Sequence, residues 1–246
     1  MTEPLVVLLD IDDTLVDTRG AFRHALTVVA ESYLPEVPSP DALVTVWRAD
    51  VNGWYRAFTR GEVGYREQRM RRANELHALF GGPEMDDGMY AVWDEEFELE
   101  FRAGWIAHDD AAGFLDELDA AGIRYGAESN ALVAYQTEKL ARAGLSRVPM
   151  LVGTDTFGRG KPDPRVFVEG ARLLGASVAS AVYVGDERDI DARAAVAAGC
   201  AAGVWVDRPG VPRPGHAGEG SDDHELGEGV IEVASLGEVY GALAAL

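Results

Sequence analysis

Residues 6–18 constrain the fold more than any other stretch, because an apolar run there ends in a cluster of carboxylates. Residues 5–9 are all aliphatic, which predicts a strand buried on both faces of a parallel sheet. Asp10 and Asp12 follow at the carboxyl end of that strand, where open α/β sheets bind ligands. Residues two apart on an extended chain point the same way, so both carboxylates can face one site. Their repulsion predicts that a cation lies between them or that one holds a proton.

The composition narrows the classes of function. The chain has 246 residues, of which 47% are hydrophobic, and this suits a core domain with an inserted one. A net charge of −20 argues against a nucleic-acid partner. No apolar run approaches the ~20 residues that span a bilayer, and the first residues lack the pattern of a secretion signal. We therefore expect a cytoplasmic protein with no membrane partner.

The single cysteine, Cys200, excludes an internal disulfide, and we expect it to be buried.

The pattern of predicted elements divides the chain. Residues 20–104 show helical periodicity and no convincing strand, whereas helices and strands alternate from residue 105 onward. This alternation predicts an α/β fold with a doubly wound, Rossmann-like and mostly parallel sheet. We predict a catalytic core formed by residues 1–19 and 105–246, with a helical cap at residues 20–104. Residues 207–229 are rich in glycine, proline and acids, and we expect a surface loop there.

Within the predicted cap, apolar residues recur every three or four positions, which predicts a helix through Val44, Trp47, Val51, Trp54 and Phe58. We expect the cap aromatics to pack a small helical bundle rather than to form a wall for a nucleobase. Polar residues near this stripe are candidate substrate contacts, although a solvated helix face explains them equally well: Arg48, Asn52, Arg56, Arg60 and Arg66.

Polar side chains recur at the ends of four predicted core strands. In chain order they are Asp10 with Asp12, Ser129 with Asn130, Lys161, and Asp186 with Asp191. The carboxyl ends of parallel strands meet at one edge of a sheet, so these groups are expected to converge. Each has a simpler local explanation as a turn, a helix cap or a solvated loop, but all four explanations would have to hold together.

The set suits phosphoryl transfer. Asp10 and Asp186 offer the oxygen ligands that Mg²⁺ prefers. Ser129 and Lys161 can hold the non-bridging phosphoryl oxygens. One carboxylate can attack phosphorus to form an aspartyl-phosphate, while the other gives a proton to the leaving oxygen and later takes one from water. Lysine occurs only at positions 139 and 161, which suggests that a compact ammonium is required at position 161.

These residues form four ordered motifs: Asp10-Ile11-Asp12-Asp13-Thr14, Ser129-Asn130, Lys161-Pro162, and Gly185-Asp186 with Asp191. In the order and spacing of these motifs the sequence resembles the haloacid dehalogenase-like hydrolase superfamily, in its phosphatase branch with an all-helical cap between the first two motifs. Asp13 departs from the glycine that is commoner at that place, and we interpret it as a turn residue.

The resemblance implies a role for each residue. It implies that Asp10 is the nucleophile and that Asp12 is the general acid and base. It assigns phosphate binding to Ser129, Asn130 and Lys161. It implies a Mg²⁺ site formed by Asp10, Asp12, Asp186 and Asp191, with Asp12 contributing its backbone carbonyl and Asp191 holding a metal-bound water or a neighbouring ligand.

The acid at position 12 favours phosphatases, because dehalogenases of this superfamily lack an acidic residue there. The absence of lysine from residues 20–104 argues against the phosphonate-cleaving branch, which uses a cap lysine. We therefore expect a Mg²⁺-dependent phosphatase that acts on a small phosphorylated metabolite. A phosphomutase of the same superfamily and a non-catalytic binding module that retains the fold remain alternatives.

Overall fold

The computed structural model describes residues 5–210 and 226–244. Its strands are β1 (Val6–Leu9), β2 (Arg124–Glu128), β3 (Met150–Val152), β4 (Ala181–Gly185), β5 (Ala202–Val206) and β6 (Val230–Val233). Its α-helices are α1 (Thr18–Tyr33), α2 (Pro40–Ala49), α3 (Trp54–Thr59), α4 (Tyr65–Leu79), α5 (Asp87–Ala103), α6 (Ala111–Ala121), α7 (Val133–Arg142), α8 (Thr154–Phe157), α9 (Pro164–Leu173), α10 (Ala194–Ala197) and α11 (Leu236–Leu243).

The six strands form one parallel sheet in the order β3-β2-β1-β4-β5-β6. β1 lies in the interior of the sheet, and all four of its residues are buried. A strand covered on both faces needs apolar side chains at every position, which explains its unbroken aliphatic sequence. α6, α7, α9, α10 and α11 pack against strands of the sheet. The predicted doubly wound, Rossmann-like α/β fold is confirmed.

The strand order explains how distant motifs reach one site. β3, β2, β1 and β4 are neighbours, and Leu9 at the end of β1 pairs with Ala127 on one side and Val184 on the other. The backbone N–H of Asp10 continues this ladder by donating to the Val184 carbonyl at 2.9 Å. The residues that follow these four strands therefore emerge at the same edge of the sheet.

The chain divides into two compact units. Of the described residues, 18–105 form one unit, and the rest form the other, which contains the whole sheet. The first unit consists of α1 to α5. That residues 20–104 act as a cap for the sheet-containing unit stays a prediction.

The helical unit has an aromatic core. Trp47, Trp93, Phe97 and Phe101 are at most 2% exposed. The rings of Trp93 and Phe97 stack with centroids 5.0 Å apart, and Phe22 stacks on Phe101 at 4.4 Å. The aromatic residues thus pack the bundle interior, as the sequence pattern indicated.

The predicted helix through residues 44–58 is wrong in one respect, because it is broken in the middle. α2 ends at Ala49, and Asp50 and Gly53 have left-handed backbone angles, with φ of 42° and 70°. The Asp50 carboxylate then accepts hydrogen bonds from the backbone N–H groups of Tyr55 and Arg56 at the start of α3. Asp tolerates the left-handed region and caps helices, so it ends one helix and starts the next. Val51, predicted to lie on the buried stripe, is 69% exposed.

After β4 the chain forms a π-helical turn, Arg188–Arg193, that continues into α10. Two smaller expectations concern Cys200 and residues 207–229. Cys200 is buried at 7% exposure, as expected. The predicted loop of residues 207–229 lies mostly outside the described residues.

Within residues 5–210 and 226–244, no helix has the length and apolar character needed to cross a membrane.

Candidate active site

The site begins where the chain turns sharply after β1. The N–H groups of Leu15 and Val16 both donate to the Ile11 carbonyl, and the Asp13 N–H donates to the Val16 carbonyl. Asp13 has a φ of 65°, a left-handed conformation that glycine adopts most easily and Asp tolerates. Because aspartate tolerates this conformation, it can occupy the turn position that the resemblance usually gives to glycine. The turn places Asp10 and Asp12 at the carboxyl edge of the sheet.

Asp10 is nearly buried, at 5% exposure, and both carboxylate oxygens have donors. Lys161 Nζ donates to Oδ1 at 2.7 Å, and Thr14 Oγ1 donates to Oδ2 at 3.0 Å. Burial raises the pKa of the Asp10 carboxyl to about 8. The Lys161 ammonium opposes this rise, whereas the charge of Asp191 adds to it. A further cation beside Asp10, in addition to Lys161, would lower this pKa and favour the ionised carboxylate.

Lys161 is the central cation among the described side chains of this site. Its ammonium donates to Asp10 Oδ1 at 2.7 Å, to Asp191 Oδ1 at 2.6 Å and to the Tyr183 hydroxyl at 2.6 Å. Burial disfavours its charge, but Asp10 and Asp191 outweigh burial and raise the pKa of Lys161 well above its ordinary value. An ammonium has three protons, so binding a phosphoryl oxygen would require it to exchange one of these partners.

Asn130 positions Lys161 through the backbone. Its Oδ1 accepts from the Lys161 N–H at 2.6 Å, and its Nδ2 donates to the Lys161 carbonyl at 3.0 Å. A side chain at Gly160 would overlap the Asn130 amide, so glycine is required for this close approach. Both ends of the amide thus engage the backbone of the lysine loop. The predicted contact of Asn130 with phosphate stays a prediction.

Three carboxylates form a cluster that can hold a metal ion. Asp10, Asp186 and Asp191 each offer an oxygen, and these oxygens lie within 4.8 Å of one another. Burial, followed by the charge of Asp13, raises the pKa of Asp186 well above its ordinary value. Hard oxygen ligands at this spacing fit Mg²⁺, whose charge would relieve the repulsion that the pKa shifts express.

Asp191 reaches this cluster because the end of β4 is a glycine. A side chain at Gly185 would overlap the Asp191 carboxyl group. Asp191 is 1% exposed, and its Oδ2 accepts from the Glu187 N–H at 3.1 Å. The indole of Trp205 donates to the Asp186 carbonyl at 2.9 Å and fixes the neighbouring ligand loop. The two acids after β4 are therefore held by the backbone as well as by charge.

Asp12 faces a different set of partners. Its carboxylate forms an ion pair with Lys139 and accepts from Gln136 Nε2 at 2.6 Å. Ser129 Oγ lies 3.4 Å from Asp12 Oδ2. Among the described residues, the metal-ligand cluster does not include the Asp12 carboxylate. The structure therefore brings Ser129 to Asp12, and the predicted role of the Asp12 backbone carbonyl as a metal ligand stays a prediction.

Four residues near the site were not predicted from the sequence: Glu128, Gln136, Lys139 and Tyr183. Tyr183 on β4 and Gln136 on α7 are both 0% exposed. Nothing in the sequence of these two elements marks either residue as part of a site. The scarcity of lysine was a usable signal for Lys139, because both lysines of the chain contact aspartates of the site. Nothing in the local sequence indicates that Glu128 is buried.

Three of the five candidate cap contacts, Asn52, Arg60 and Arg66, are engaged within their own unit. Arg60 pairs with Glu62, and Arg66 pairs with Asp87. Asn52 donates to Glu75 Oε1 at 2.6 Å. These pairs are the arrangement expected of a solvated helix surface.

The doubly wound parallel sheet, with a carboxylate–lysine centre at its carboxyl edge, defines a Rossmann-like protein with a ligand site at that edge. The chain belongs to the haloacid dehalogenase-like hydrolase family, whose model matches residues 5–199. The resemblance inferred from the four motifs is thereby confirmed.

Similarity to individual proteins supports the same family membership. The chain is 31% identical over 198 residues to the glyceraldehyde 3-phosphate phosphatase of Methanopyrus kandleri, covering 78% of this chain and 80% of the relative. It is 28% identical over 228 residues to the phosphoserine phosphatase of Thermus thermophilus, covering 82% and 88%. The fold is shared with the solved structure of the HAD-hydrolase YfnB from Bacillus subtilis bound to magnesium, at a TM-score of 0.74, 21% identity and coverage of 98% and 100%.

Proposed function

We propose that this hydrolase is a Mg²⁺-dependent phosphatase that removes phosphate from a small phosphorylated metabolite through an aspartyl-phosphate on Asp10. One observation carries the proposal: Asp10 belongs to the three-carboxylate cluster and is held at 2.7 Å by the Lys161 ammonium. A second acid, Asp12, follows two residues later on the same turn. A nucleophile, a cation for the phosphoryl oxygens and a proton carrier are the groups that phosphate-ester hydrolysis requires.

In the first step, an Asp10 carboxylate oxygen attacks phosphorus, and the bond from phosphorus to the ester oxygen breaks. Asp12 donates a proton to that leaving oxygen, so an alcohol departs. In the second step, Asp12 takes a proton from water, whose oxygen attacks phosphorus, and the bond to Asp10 breaks. Inorganic phosphate is released and Asp10 is regenerated.

Lys161 and Ser129 are proposed to hold the non-bridging oxygens in both steps. The ammonium already lies beside Asp10, and the Ser129 hydroxyl lies beside Asp12. Asp10, Asp186 and Asp191 would hold Mg²⁺, with the Asp12 carbonyl as a further ligand. The metal, when bound, neutralises the charge that builds up on the phosphoryl group.

The class of substrate is proposed from the relatives. Glyceraldehyde 3-phosphate phosphatase and phosphoserine phosphatase are named for small phosphate monoesters, and the charge of −20 disfavours a polyanionic substrate. We propose that residues 20–104, as a cap, select among such monoesters, because the roles proposed for the groups at the sheet edge all concern the phosphoryl group and its leaving oxygen.

The proposal is tested by phosphate release from para-nitrophenyl phosphate and from a panel of phosphorylated three- to six-carbon metabolites and nucleoside monophosphates. We expect activity with Mg²⁺, its loss with EDTA and its recovery on adding Mg²⁺ back. Asp10→Asn is expected to lower kcat by at least about 1000-fold. After acid quenching and borohydride reduction, mass spectrometry of wild type should find homoserine at position 10. Activity retained in Asp10→Asn, or no release from any ester, would overturn the proposal.

A further inference from the structure

Two side chains of α7, Gln136 and Lys139, contact Asp12 from the protein interior. They lie three residues apart on one face of the helix and are 0% and 2% exposed. Gln136 Nε2 donates to Asp12 Oδ2 at 2.6 Å, and Lys139 Nζ forms an ion pair with Asp12 Oδ1. Each oxygen of the carboxylate thus has its own buried donor.

The same amide links Asp12 to Ser129. Gln136 Nε2 also donates to Ser129 Oγ at 2.8 Å. The Asp12 side chain remains 33% exposed, although its donors are almost fully buried. The donors therefore hold the carboxylate from the interior and leave it partly accessible.

Lys139 is an unusual residue in this chain. Arginine supplies nearly every other basic position, and the two lysines both contact aspartates of the site. Arg142 on the same helix shows the ordinary arrangement, an exposed ion pair with Glu138. Removing an ammonium from water is costly, so a buried lysine needs a compensating partner, and here that partner is Asp12.

We propose that Gln136 and Lys139 are positioning residues that hold Asp12 in the orientation from which it transfers a proton to the leaving group. This inference rests on the proposed function, in which Asp12 is the general acid. Proton transfer requires the acid to lie within hydrogen-bond reach of the leaving oxygen. An aspartate side chain turns about two bonds, and two donors on separate oxygens restrict both.

The test compares esters that differ in their need for a proton. An alkoxide must be protonated as its bond to phosphorus breaks, whereas 2,4-dinitrophenolate leaves as a stable anion. For Lys139→Met and Gln136→Met we expect kcat/KM to fall about 100-fold with the best alkyl phosphate. With 2,4-dinitrophenyl phosphate it should fall less than about threefold, because misplacing the acid leaves nucleophilic attack intact. Hydrolysis of the aspartyl-phosphate does not affect kcat/KM if phosphoryl transfer to Asp10 is irreversible, so this parameter reports the first step.

Arg142→Met is the matched control, because it removes an exposed cation from the same helix. It should change both kcat/KM values less than about twofold. In the double variant with Asp12→Asn, Lys139→Met should add no further loss, since Lys139 acts through Asp12. Equal losses on the two esters, or a further loss in the double variant, would refute the positioning role. Failure of the wild type on both esters would instead refute the proposed function.

Discussion

At the residue scale, burial controls the charge of the acids around the site. Glu128 is 0% exposed, and neither of its carboxyl oxygens has a hydrogen-bond partner among the described residues. It packs so closely under α9 that a side chain at Gly170 would overlap it. Burial raises the pKa of Glu128 well above its ordinary value, against the opposing charge of Lys161. Burial therefore favours the protonated, neutral form of Glu128 in the folded protein.

This shift has a consequence for stability. The folded protein holds the Glu128 proton at pH values where the unfolded chain has lost it, so Glu128 lowers stability as pH rises above about 4.5. Glu128→Gln, which cannot ionise, should match wild type at pH 4 and exceed its Tm by about 3 °C or more at pH 8. Thermal unfolding followed by circular dichroism across this pH range measures the difference.

The exposed Glu117→Gln is the control and should show no gain that depends on pH. If the Tm difference between Glu128→Gln and wild type is the same at pH 4 and pH 8, Glu128 is ionised in the folded protein and this interpretation is wrong.

At the element scale, the contact between the end of β4 and the following π-helical turn determines where Asp191 lies. Gly185 ends β4, and Asp191 lies in the turn Arg188–Arg193. A Cβ at position 185 would occupy the space of the Asp191 carboxyl group. The absence of a side chain at Gly185 thus leaves room for Asp191, a candidate metal ligand. Asp191 can then contact Lys161 and lie beside Asp10 and Asp186 in the acidic cluster.

Gly185→Ala is therefore expected to displace Asp191. We predict a loss of about 1–3 kcal/mol in the free energy of unfolding, as for other overpacked cores. The activity should fall about 100-fold, because an ångström-scale shift of a site residue has that order of effect. Urea denaturation and phosphatase assays measure the two effects.

Gly113→Ala provides the matched comparison, because it lies within α6 and has no atom within 4 Å of the added Cβ. There the same substitution should stabilise the protein by about 0.5–1 kcal/mol and leave activity unchanged. Equal effects of the two substitutions would show that the contact at Gly185 does not position Asp191.

At the scale of the whole molecule, the chain carries a net charge of −20 and concentrates three carboxylates at one point of its sheet. Self-repulsion of this kind destabilises the compact state, and a divalent cation at the cluster opposes it. A ligand that binds only the folded state stabilises it according to its concentration relative to Kd.

Saturating Mg²⁺, at about 100 times Kd, should therefore stabilise the wild-type protein by about 2.7 kcal/mol. That corresponds to a rise in Tm of about 5–10 °C for a protein of this size. Asp186→Asn should raise Tm in the absence of metal, because burial and the charge of Asp13 disfavour the ionised Asp186. The same variant should lose most of the response to Mg²⁺.

Sodium chloride at matched ionic strength controls for screening of the net charge and should act equally on both proteins. Calorimetric scans with and without EDTA provide the measurement. A Mg²⁺ response in Asp186→Asn equal to that of wild type would show that the acidic cluster does not bind the metal.

Much of the molecule was predictable from the sequence because the decisive signals were local. A short aliphatic run with no polar position predicts a strand covered on both faces, and alternating helices and strands predict a parallel sheet. Because such a sheet collects its strand ends at one edge, Asp10, Lys161 and Asp186 could be expected together before any distance was known.

Tertiary structure alone decided the contacts between elements. Gln136 has the pattern of an ordinary polar residue of an amphipathic helix, and the scarcity of lysine marks Lys139 without naming its partner. Only the packing of α7 directs both side chains to Asp12. Periodicity could not show the break after Ala49, because the left-handed residues Asp50 and Gly53 leave the spacing of apolar residues in the sequence unchanged. Periodicity indicates which face of an element is buried. Which side chains that face contacts depends on how elements far apart in the chain pack together.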